Sequence, residues 1–484
     1  MLKPKKDYFK IDIPKKKKIK MIVISSISFV LGLILIIYLF SNIRTISMFE
    51  WTPILNFGWI IIVILSILSP LYAILDAYIA MKNYDKRVVK IPSKFFKVFG
   101  ILGIIFSAAI LGILTIPLYI DKGDKSPQLI LLSETGVNKI PNMAVVYWTK
   151  DPIESNLKFG LSSSSLNETI PDLYAGPSKS HAFYLKDLTP ETQYFYQING
   201  YGKIYNFTTM SSQNDTFHFA VASDCHFGAG TNNLTATEMI LQYVSDDSNN
   251  FDAFFVDGDL VEFGFIDFMW KQYLDFTSPY FTHIPSRPIL GNHDGFFGGE
   301  KLFKRYLYPD ILNSSSNSNF YYKIEINNIH IFMLDLEWDT RTYTREQKEW
   351  FENEIKKVSP DDWVIIINHA MYYTSGIEAL GKSWVDLKDM IQKFENLFIT
   401  YDVDLVFSGH NHHLEFLNVS DIAYIIEGGF GGKPDPPRTK EGTGSLWYLS
   451  NQHGFVDVNI NGKNATISFR SPEGDILKEF IVLE

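Results

Sequence analysis

The feature that most restricts the fold is a series of five short apolar segments, each followed within three residues by Asp, Asn or His. These segments are residues 217–223, 253–256, 288–290, 364–367 and 403–407. Helical patterns lie between them, such as residues 345–358, which follow a capping box formed by Thr344 and Gln347. Apolar strands that alternate with helices predict an α/β domain over residues 217–484, in which a β-sandwich of stacked sheets is flanked by helices.

The polar residues after these segments are of the types that bind metal ions. They are Asp224 and His226, Asp259, Asn292 with His293 and Asp294, His369, and His410 with His412. A single cluster of this kind is usually a turn or a surface residue, so the indication comes from the ordered set. Loops at the carboxyl ends of strands meet at one edge of an α/β fold, so these side chains can converge. Mixed imidazole and carboxylate ligands favour Mn, Zn or Fe over Ca, whose sites consist of oxygen ligands.

The order Asp-x-His, Gly-Asp, Gly-Asn-His-Asp, His and Gly-His-x-His resembles the calcineurin-like metallophosphoesterase superfamily over residues 217 to about 430. With a β-sandwich in front, the chain is similar to the purple acid phosphatases. The resemblance implies an enzyme, a metal-dependent phosphoric ester hydrolase, with two divalent metal ions as cofactors. Their ligands would be Asp224, His226, Asp259 and His412 for the first ion, and Asp259 as the bridge, Asn292, His369 and His410 for the second.

The resemblance also implies a mechanism. A hydroxide that bridges the two metals would attack phosphorus, and the metals would neutralise charge on the phosphoryl oxygens. His293 would face the substrate and donate a proton to the leaving oxygen, with Asp294 orienting its ring. A phosphomonoesterase of the acid phosphatase type is the preferred interpretation. The alternatives are a phosphodiesterase that acts on nucleotides or lipid head groups, and a non-catalytic surface receptor that keeps the fold.

One position departs from the purple acid phosphatase pattern. Glu262 stands where those enzymes have a metal-bound tyrosine, whereas His226 is present where they lack a histidine. The resemblance therefore implies a first site without a phenolate ligand, which makes Mn, Zn or Fe(II) more plausible than Fe(III).

The first 120 residues contain three apolar segments, each long enough to cross a membrane as a helix of about 20 residues. They are residues 21–41, 54–75 and 98–120. The tail 1–20 and the loop 81–97 are rich in lysine, which places both in the cytoplasm. The sequence therefore predicts a multi-pass cell-membrane protein whose catalytic domain is extracytoplasmic. A cleaved signal peptide is disfavoured because the first segment is long and two more follow it.

Between the last apolar segment and the α/β domain lie a polar linker, 121–128, and a β-rich region, 129–210. Short alternating segments separated by turn-forming residues predict a β-sandwich there. The sequence LKDLTPETQYFY over residues 185–196 resembles a conserved corner of fibronectin type III-like domains.

The charge of the chain limits its partners. It has 54 acidic against 44 basic residues, and the basic ones are concentrated near the N-terminus, so the remainder should repel nucleic acid. We expect a phosphate-ester substrate, membrane lipid around the three helices, and no obligate protein partner. Cys225 is the single cysteine, which excludes an intramolecular disulfide.

Overall fold

The computed structural model describes residues 123–135, 140–200, 202–211, 216–308, 316, 318–379 and 382–484, with scattered helical residues between Val23 and Ala108. The chain divides into two compact units, Met1–Tyr119 and Ile120–Glu484. The predicted spans 21–41, 54–75 and 98–120 lie almost wholly outside the described residues. Within the part of the chain that is described, no helix has the length and apolar character needed to cross a membrane.

The second unit contains strands and helices in the following chain order. The first half consists of β1 (Lys125–Thr135), β2 (Ile140–Ile153), β3 (Asn156–Gly160), β4 (Glu168–Pro171), β5 (Ser178–Leu185), β6 (Gln193–Ile198), β7 (Tyr205–Thr208), β8 (Thr216–Ala222), α1 (Leu234–Ser245), β9 (Ala253–Val256), α2 (Asp267–Phe281), β10 (Ser286–Pro288), α3 (Asn292–Gly295) and α4 (Glu300–Tyr306). The second half consists of β11 (Tyr322–Ile326), β12 (Ile329–Met333), α5 (Arg345–Ile355), β13 (Trp363–Ile367), β14 (Glu378–Ala379), β15 (Lys382–Ser383), α6 (Lys388–Thr400), β16 (Leu405–Ser408), β17 (Leu414–Val419), β18 (Ile422–Glu427), β19 (Ser445–Leu449), β20 (Phe455–Asn461), β21 (Asn464–Arg470) and β22 (Ile476–Leu483).

Two large sheets form the core of this unit. One has the strand order β22-β21-β20-β8-β9-β10-β1-β2-β5, and the other has the order β11-β12-β13-β16-β18-β17-β19. Their inner faces share one buried cluster, in which the ring of Phe219 on β8 packs against that of Phe407 on β16 with 6.3 Å between centroids. Such burial of aromatic and aliphatic side chains is the main stabilising contribution to a stacked-sheet domain. The predicted α/β architecture with stacked sheets is confirmed.

The parallel pairing of strands determines where the loops with the predicted metal ligands lie. Strands β8, β9 and β10 run parallel to one another, as do β12, β13, β16 and β18. Their carboxyl ends therefore lie at one edge of each sheet, from which the loops with the predicted metal ligands depart. The five predicted strands match the observed ones to within about two residues. The helix predicted for 345–358 begins as expected, because the Thr344 hydroxyl accepts a hydrogen bond from the Gln347 N–H, but it ends earlier, at Ile355.

The β-rich region before the α/β domain contributes to two sheets. Strands β3, β4, β6 and β7 form a four-stranded sheet, whereas β1, β2 and β5 extend the nine-stranded sheet through the parallel pairing of β1 with β10. The guanidinium of Arg287 on β10 donates to the Leu131 carbonyl of β1 at 3.2 Å, and its charge lies 3.9 Å from the ring centres of Tyr308 and Tyr322. A β-rich region is thus present as predicted, and it shares a sheet with the residues that follow it. Its fibronectin III-like identity stays a prediction.

Candidate active site

The loops that leave β8, β9, β10, β13 and β16 bring the predicted ligands together. Asp224 and His226 follow β8, Asp259 follows β9, His369 follows β13, and His410 and His412 follow β16. Asn292 is the first residue of α3, the short helix after β10. The aspartates and histidines among them form overlapping groups, and within each group the ligand atoms lie within 4.8 Å of one another.

The first group consists of Asp224, His226 and His412. The Asp224 Oδ1 atom lies 3.1 Å from His412 Nε2 and 3.5 Å from His226 Nε2. The two Nε2 atoms are 3.1 Å apart. One carboxylate oxygen and two imidazole nitrogens therefore point at a common position.

The second group contains Asp259, Asn292, His369 and His410. The Nε2 atom of His369 lies 3.3 Å from Asp259 Oδ2 and 3.1 Å from Asn292 Oδ1, and His410 Nδ1 lies 2.7 Å from the same Asn292 oxygen. Asp259 also faces the first group, since its Oδ2 atom is 3.6 Å from His226 Nε2. The two groups therefore meet at Asp259.

The hydrogen bonds of the histidine rings show which nitrogen is free to bind a metal. His369 Nδ1 donates to the Asp257 carbonyl at 2.7 Å, and His412 Nδ1 donates to the Lys433 carbonyl at 2.8 Å. A carbonyl only accepts, so the ring proton sits on Nδ1 and Nε2 keeps its lone pair in the neutral ring. The buried Oδ1 atom of Asp224 faces the Nε2 atoms of His226 and His412. It has no hydrogen-bond partner among the described residues. A carboxylate oxygen and imidazole nitrogens that converge in this way fit a divalent cation.

Asp259 and His410 in the second group have the ionisation states that a divalent metal ion needs in its ligands. Burial opposes the charged form of Asp259, but His369 and His293 outweigh it and lower the pKa of this carboxyl. Burial would lower the pKa of His369, but Asp259 and then Asp224 raise it to about 9. Burial and the neighbouring His369 lower the pKa of His410 to about 3. Asp259 is therefore an ionised ligand and His410 a neutral one, whereas His369 must release a proton when a metal ion binds.

Four of the predicted ligands have a backbone in the left-handed region. The φ angles are 66° at Asp224, 46° at His226, 51° at Asp259 and 68° at His410. Such conformations cost of order 1–3 kcal/mol each and concentrate at functional sites. Gly291 has a related role, because a Cβ atom there would lie 2.1 Å from Asp259 Oδ1, so any larger residue would displace the shared carboxylate.

His293 lies beside both groups. Its Nδ1 donates to the Glu262 carbonyl at 2.8 Å, its backbone N–H donates to Asp259 Oδ1 at 2.8 Å, and its ring meets that of His226 edge-on with 4.6 Å between centroids. One ring nitrogen of His293 lies within 4.8 Å of a ring nitrogen of His226 and of a carboxylate oxygen of Asp259. The side chain is 24% exposed, so it can contact both the site and a substrate.

The role assigned to Asp294 from the sequence needs correction. Its carboxylate accepts from the backbone N–H groups of Gly291 at 3.0 Å, Val261 at 3.0 Å and Leu260 at 3.2 Å. These donors surround the carboxylate because α3 starts at the point where the loop after β9 passes it. Asp294 thus joins the loop after β9 to the loop after β10 by hydrogen bonds. The carbonyl of Glu262, and not Asp294, orients the His293 ring.

The carboxylate partner of His226 was not predicted from the sequence. Glu262 Oε2 lies 2.9 Å from His226 Nδ1. From the sequence, Glu262 was interpreted only as the residue that replaces the metal-bound tyrosine of purple acid phosphatases, and no contact with His226 was predicted. The carbonyls of Asp257 and Lys433 carry no sequence signal, since every residue has one.

Comparison with known proteins agrees with this geometry. Residues 217–414 match the calcineurin-like phosphoesterase family. These residues therefore resemble a calcineurin-like phosphoesterase domain. Purple acid phosphatase 22 of Arabidopsis thaliana is 26% identical over 61% of this chain and 68% of its own length. Purple acid phosphatase 21 of the same plant is 24% identical over 74% and 76%, whereas the match to its probable purple acid phosphatase 20, at 28% identity, covers 47% of this chain and only 53% of that relative.

A solved structure supports the fold. The purple acid phosphatase from yellow lupin (Lupinus luteus) seeds superposes with a TM-score of 0.61 at 18% identity, covering 74% of each chain. The predicted resemblance to purple acid phosphatases is therefore confirmed, and so is the prediction of a metal-dependent phosphoester hydrolase. The assignment of individual ligands and the membrane anchor stay predictions.

Proposed function

We propose that the protein is a phosphomonoesterase of the acid phosphatase type, which uses two divalent ions and is held in a membrane with its catalytic domain outside the cytoplasm. The observation that carries the two-ion proposal is the meeting of two ligand groups at Asp259, whose Oδ2 atom lies 3.3 Å from His369 and 3.6 Å from His226. Asp224, His226 and His412 would hold one ion, and Asn292, His369 and His410 the other, with Asp259 shared between them.

When bound, the ions would activate a water molecule and neutralise charge on the phosphoryl oxygens. The protein's own contribution to proton transfer is His293. Because the Nδ1–H group of His293 donates a hydrogen bond to the Glu262 carbonyl, Nε2 is the nitrogen that can carry a proton to the leaving oxygen. Burial lowers the pKa of His293, which Asp259 partly offsets. The protonated acid is therefore most abundant at acidic pH, in keeping with an acid phosphatase.

The preference for monoesters rests on the relatives, which are named phosphatases, among them the phosphoenolpyruvate phosphatase of Allium cepa at 26% identity. A panel of p-nitrophenyl phosphate, bis-p-nitrophenyl phosphate and alkyl phosphates, assayed with Mn, Zn and Fe supplied separately, tests it. Faster hydrolysis of the diester would favour the phosphodiesterase. No turnover on any ester by metal-loaded protein would favour the non-catalytic receptor.

The full chain should bind close to two metal ions. The ligand set forms two groups that share one carboxylate, and each group supplies the three or four ligands that a transition-metal site needs. Elemental analysis after loading with Zn²⁺ and removal of free metal would measure this number. His412→Ala is a suitable comparison, because it should lose one ion and keep the other. A wild-type value near one or zero would contradict the two-ion site.

Labelling of intact cells would test the membrane topology. We expect a cysteine introduced at Lys16 to be protected from an impermeant maleimide and one introduced at Ser163, which is exposed, to react. The charge asymmetry of the segments flanking the three apolar runs is the physical reason. The native Cys225 is buried and gives little background. The opposite pattern would place the catalytic domain in the cytoplasm.

A further inference from the structure

We infer that Glu262 is a positioning residue that fixes His226 as a ligand, so that metal affinity at the Asp224–His226–His412 position depends on the Glu262 carboxylate and affinity at the other position does not. This inference rests on the proposed two-ion site. It concerns an asymmetry between the two positions that arises from this chain's own residues.

The contact between Glu262 and His226 has the geometry of a strong hydrogen bond that can orient the imidazole ring. Glu262 Oε2 lies 2.9 Å from His226 Nδ1, and the His226 side chain is only 6% exposed. A carboxylate at Nδ1 holds the proton there and turns Nε2 towards Asp224 Oδ1. Outer partners of this kind orient a metal-binding imidazole and increase its basicity.

The other histidines are held differently. His369 and His412 donate their Nδ1 protons to the main-chain carbonyls of Asp257 and Lys433, which are neutral acceptors. The bond from His226 is charge-assisted and should be roughly twice as strong as a neutral one. The backbone of His226, with φ at 46°, is in a sparsely populated conformation, so a side-chain tether at this residue matters more than at one with ordinary backbone angles.

The backbone of Glu262 is anchored independently of its side chain. Its N–H donates to the Phe227 carbonyl at 3.0 Å, and its own carbonyl accepts from His293 Nδ1. Its carboxylate is 3.7 Å from His293 Nδ1, which is beyond hydrogen-bonding distance. A change confined to the carboxylate should therefore affect His226 and leave the orientation of His293 in place.

Glu262→Gln is the informative variant, because it keeps the shape and an acceptor oxygen but removes the charge. Wild-type protein stripped of metal and titrated with Zn²⁺ in a calorimeter should show two binding events. In Glu262→Gln we expect one event to weaken by about 10–100-fold, the usual effect of losing such a partner, and the other to change by less than about twofold. Glu354→Gln is the matched control, since Glu354 has a side chain of similar exposure, 21%, and lies on α5.

A double-mutant cycle separates positioning from general structural damage. In a His226→Ala background, Glu262→Gln should have no further effect on Zn²⁺ affinity, because the contact that it alters is already absent. An additive effect, equal weakening of both events, or no weakening of either would overturn the inference. Fewer than two events in the wild type would contradict the proposed two-ion site instead, so the two failures are distinguishable.

Discussion

Asp259→Asn is expected to lower turnover on every phosphate ester by at least about 10³-fold. Asp259 belongs to the second ligand group and also faces the first, and an amide in its place supplies no negative charge to either ion. Metal ions contribute several kcal/mol of transition-state stabilisation, and each 1.4 kcal/mol corresponds to a factor of ten in rate. The loss should be the same for aryl and alkyl phosphates, because it affects assembly of the site and not departure of one kind of leaving group.

Metal content and turnover should be measured on the same preparation of this variant. We expect less than one ion per chain where the wild type holds two. Asp404→Asn is a suitable control, since Asp404 accepts a hydrogen bond from the Val364 N–H in the same domain but is not part of either ligand group. Two tightly bound ions in Asp259→Asn, together with lost activity, would mean that this carboxylate acts on the substrate and does not bridge the metals.

The position of the candidate site could be predicted from the sequence because it follows from chain topology. Apolar strands such as β9 and β13 are recognisable from their side chains, and parallel strands end at one edge of a sheet. Residues that follow neighbouring strands of one sheet, such as Asp224 and Asp259 after β8 and β9, must therefore lie near one another, and the structure shows that the two stacked sheets bring their ligand-bearing edges together. This reasoning needs no side-chain coordinates, and the family resemblance then selected the seven predicted ligands among the residues at these strand ends.

The supporting contacts of the site could not be predicted in the same way. The acceptors of the His369 and His412 rings are main-chain carbonyls, which have no residue-type signature. Asp294 was assigned to His293 from the family resemblance, but adjacent side chains at the start of a helix point in different directions. The pairing of β1 with β10 was hidden for a similar reason, since it joins Ile130 to Ser286 and no local pattern specifies a partner so distant in sequence.

His293→Ala is expected to slow turnover by roughly 10²–10⁴-fold, the usual contribution of a positioned general acid, while metal content stays close to that of the wild type. The substitution removes the imidazole but keeps the backbone N–H that donates to Asp259 Oδ1, so the shared ligand keeps this hydrogen bond. The loss should be largest for alkyl phosphates, whose leaving oxygen needs a proton. It should be small for p-nitrophenyl phosphate, whose leaving oxygen is stable as an anion.

Steady-state rates for a series of esters of increasing leaving-group pKa, measured alongside elemental analysis, would test this prediction. The slope of log kcat/KM against that pKa should become steeper in His293→Ala than in the wild type, because only the wild type protonates the departing oxygen. His283→Ala provides a matched control, since His283 contacts the Asn206 carbonyl and Asp247 and lies outside both ligand groups. If the rate fell equally for every ester, His293 would position the phosphate and not act as the acid. If the variant lost metal as Asp259→Asn is expected to, His293 would be a ligand, and its place beside His226 and Asp259 would then explain that result.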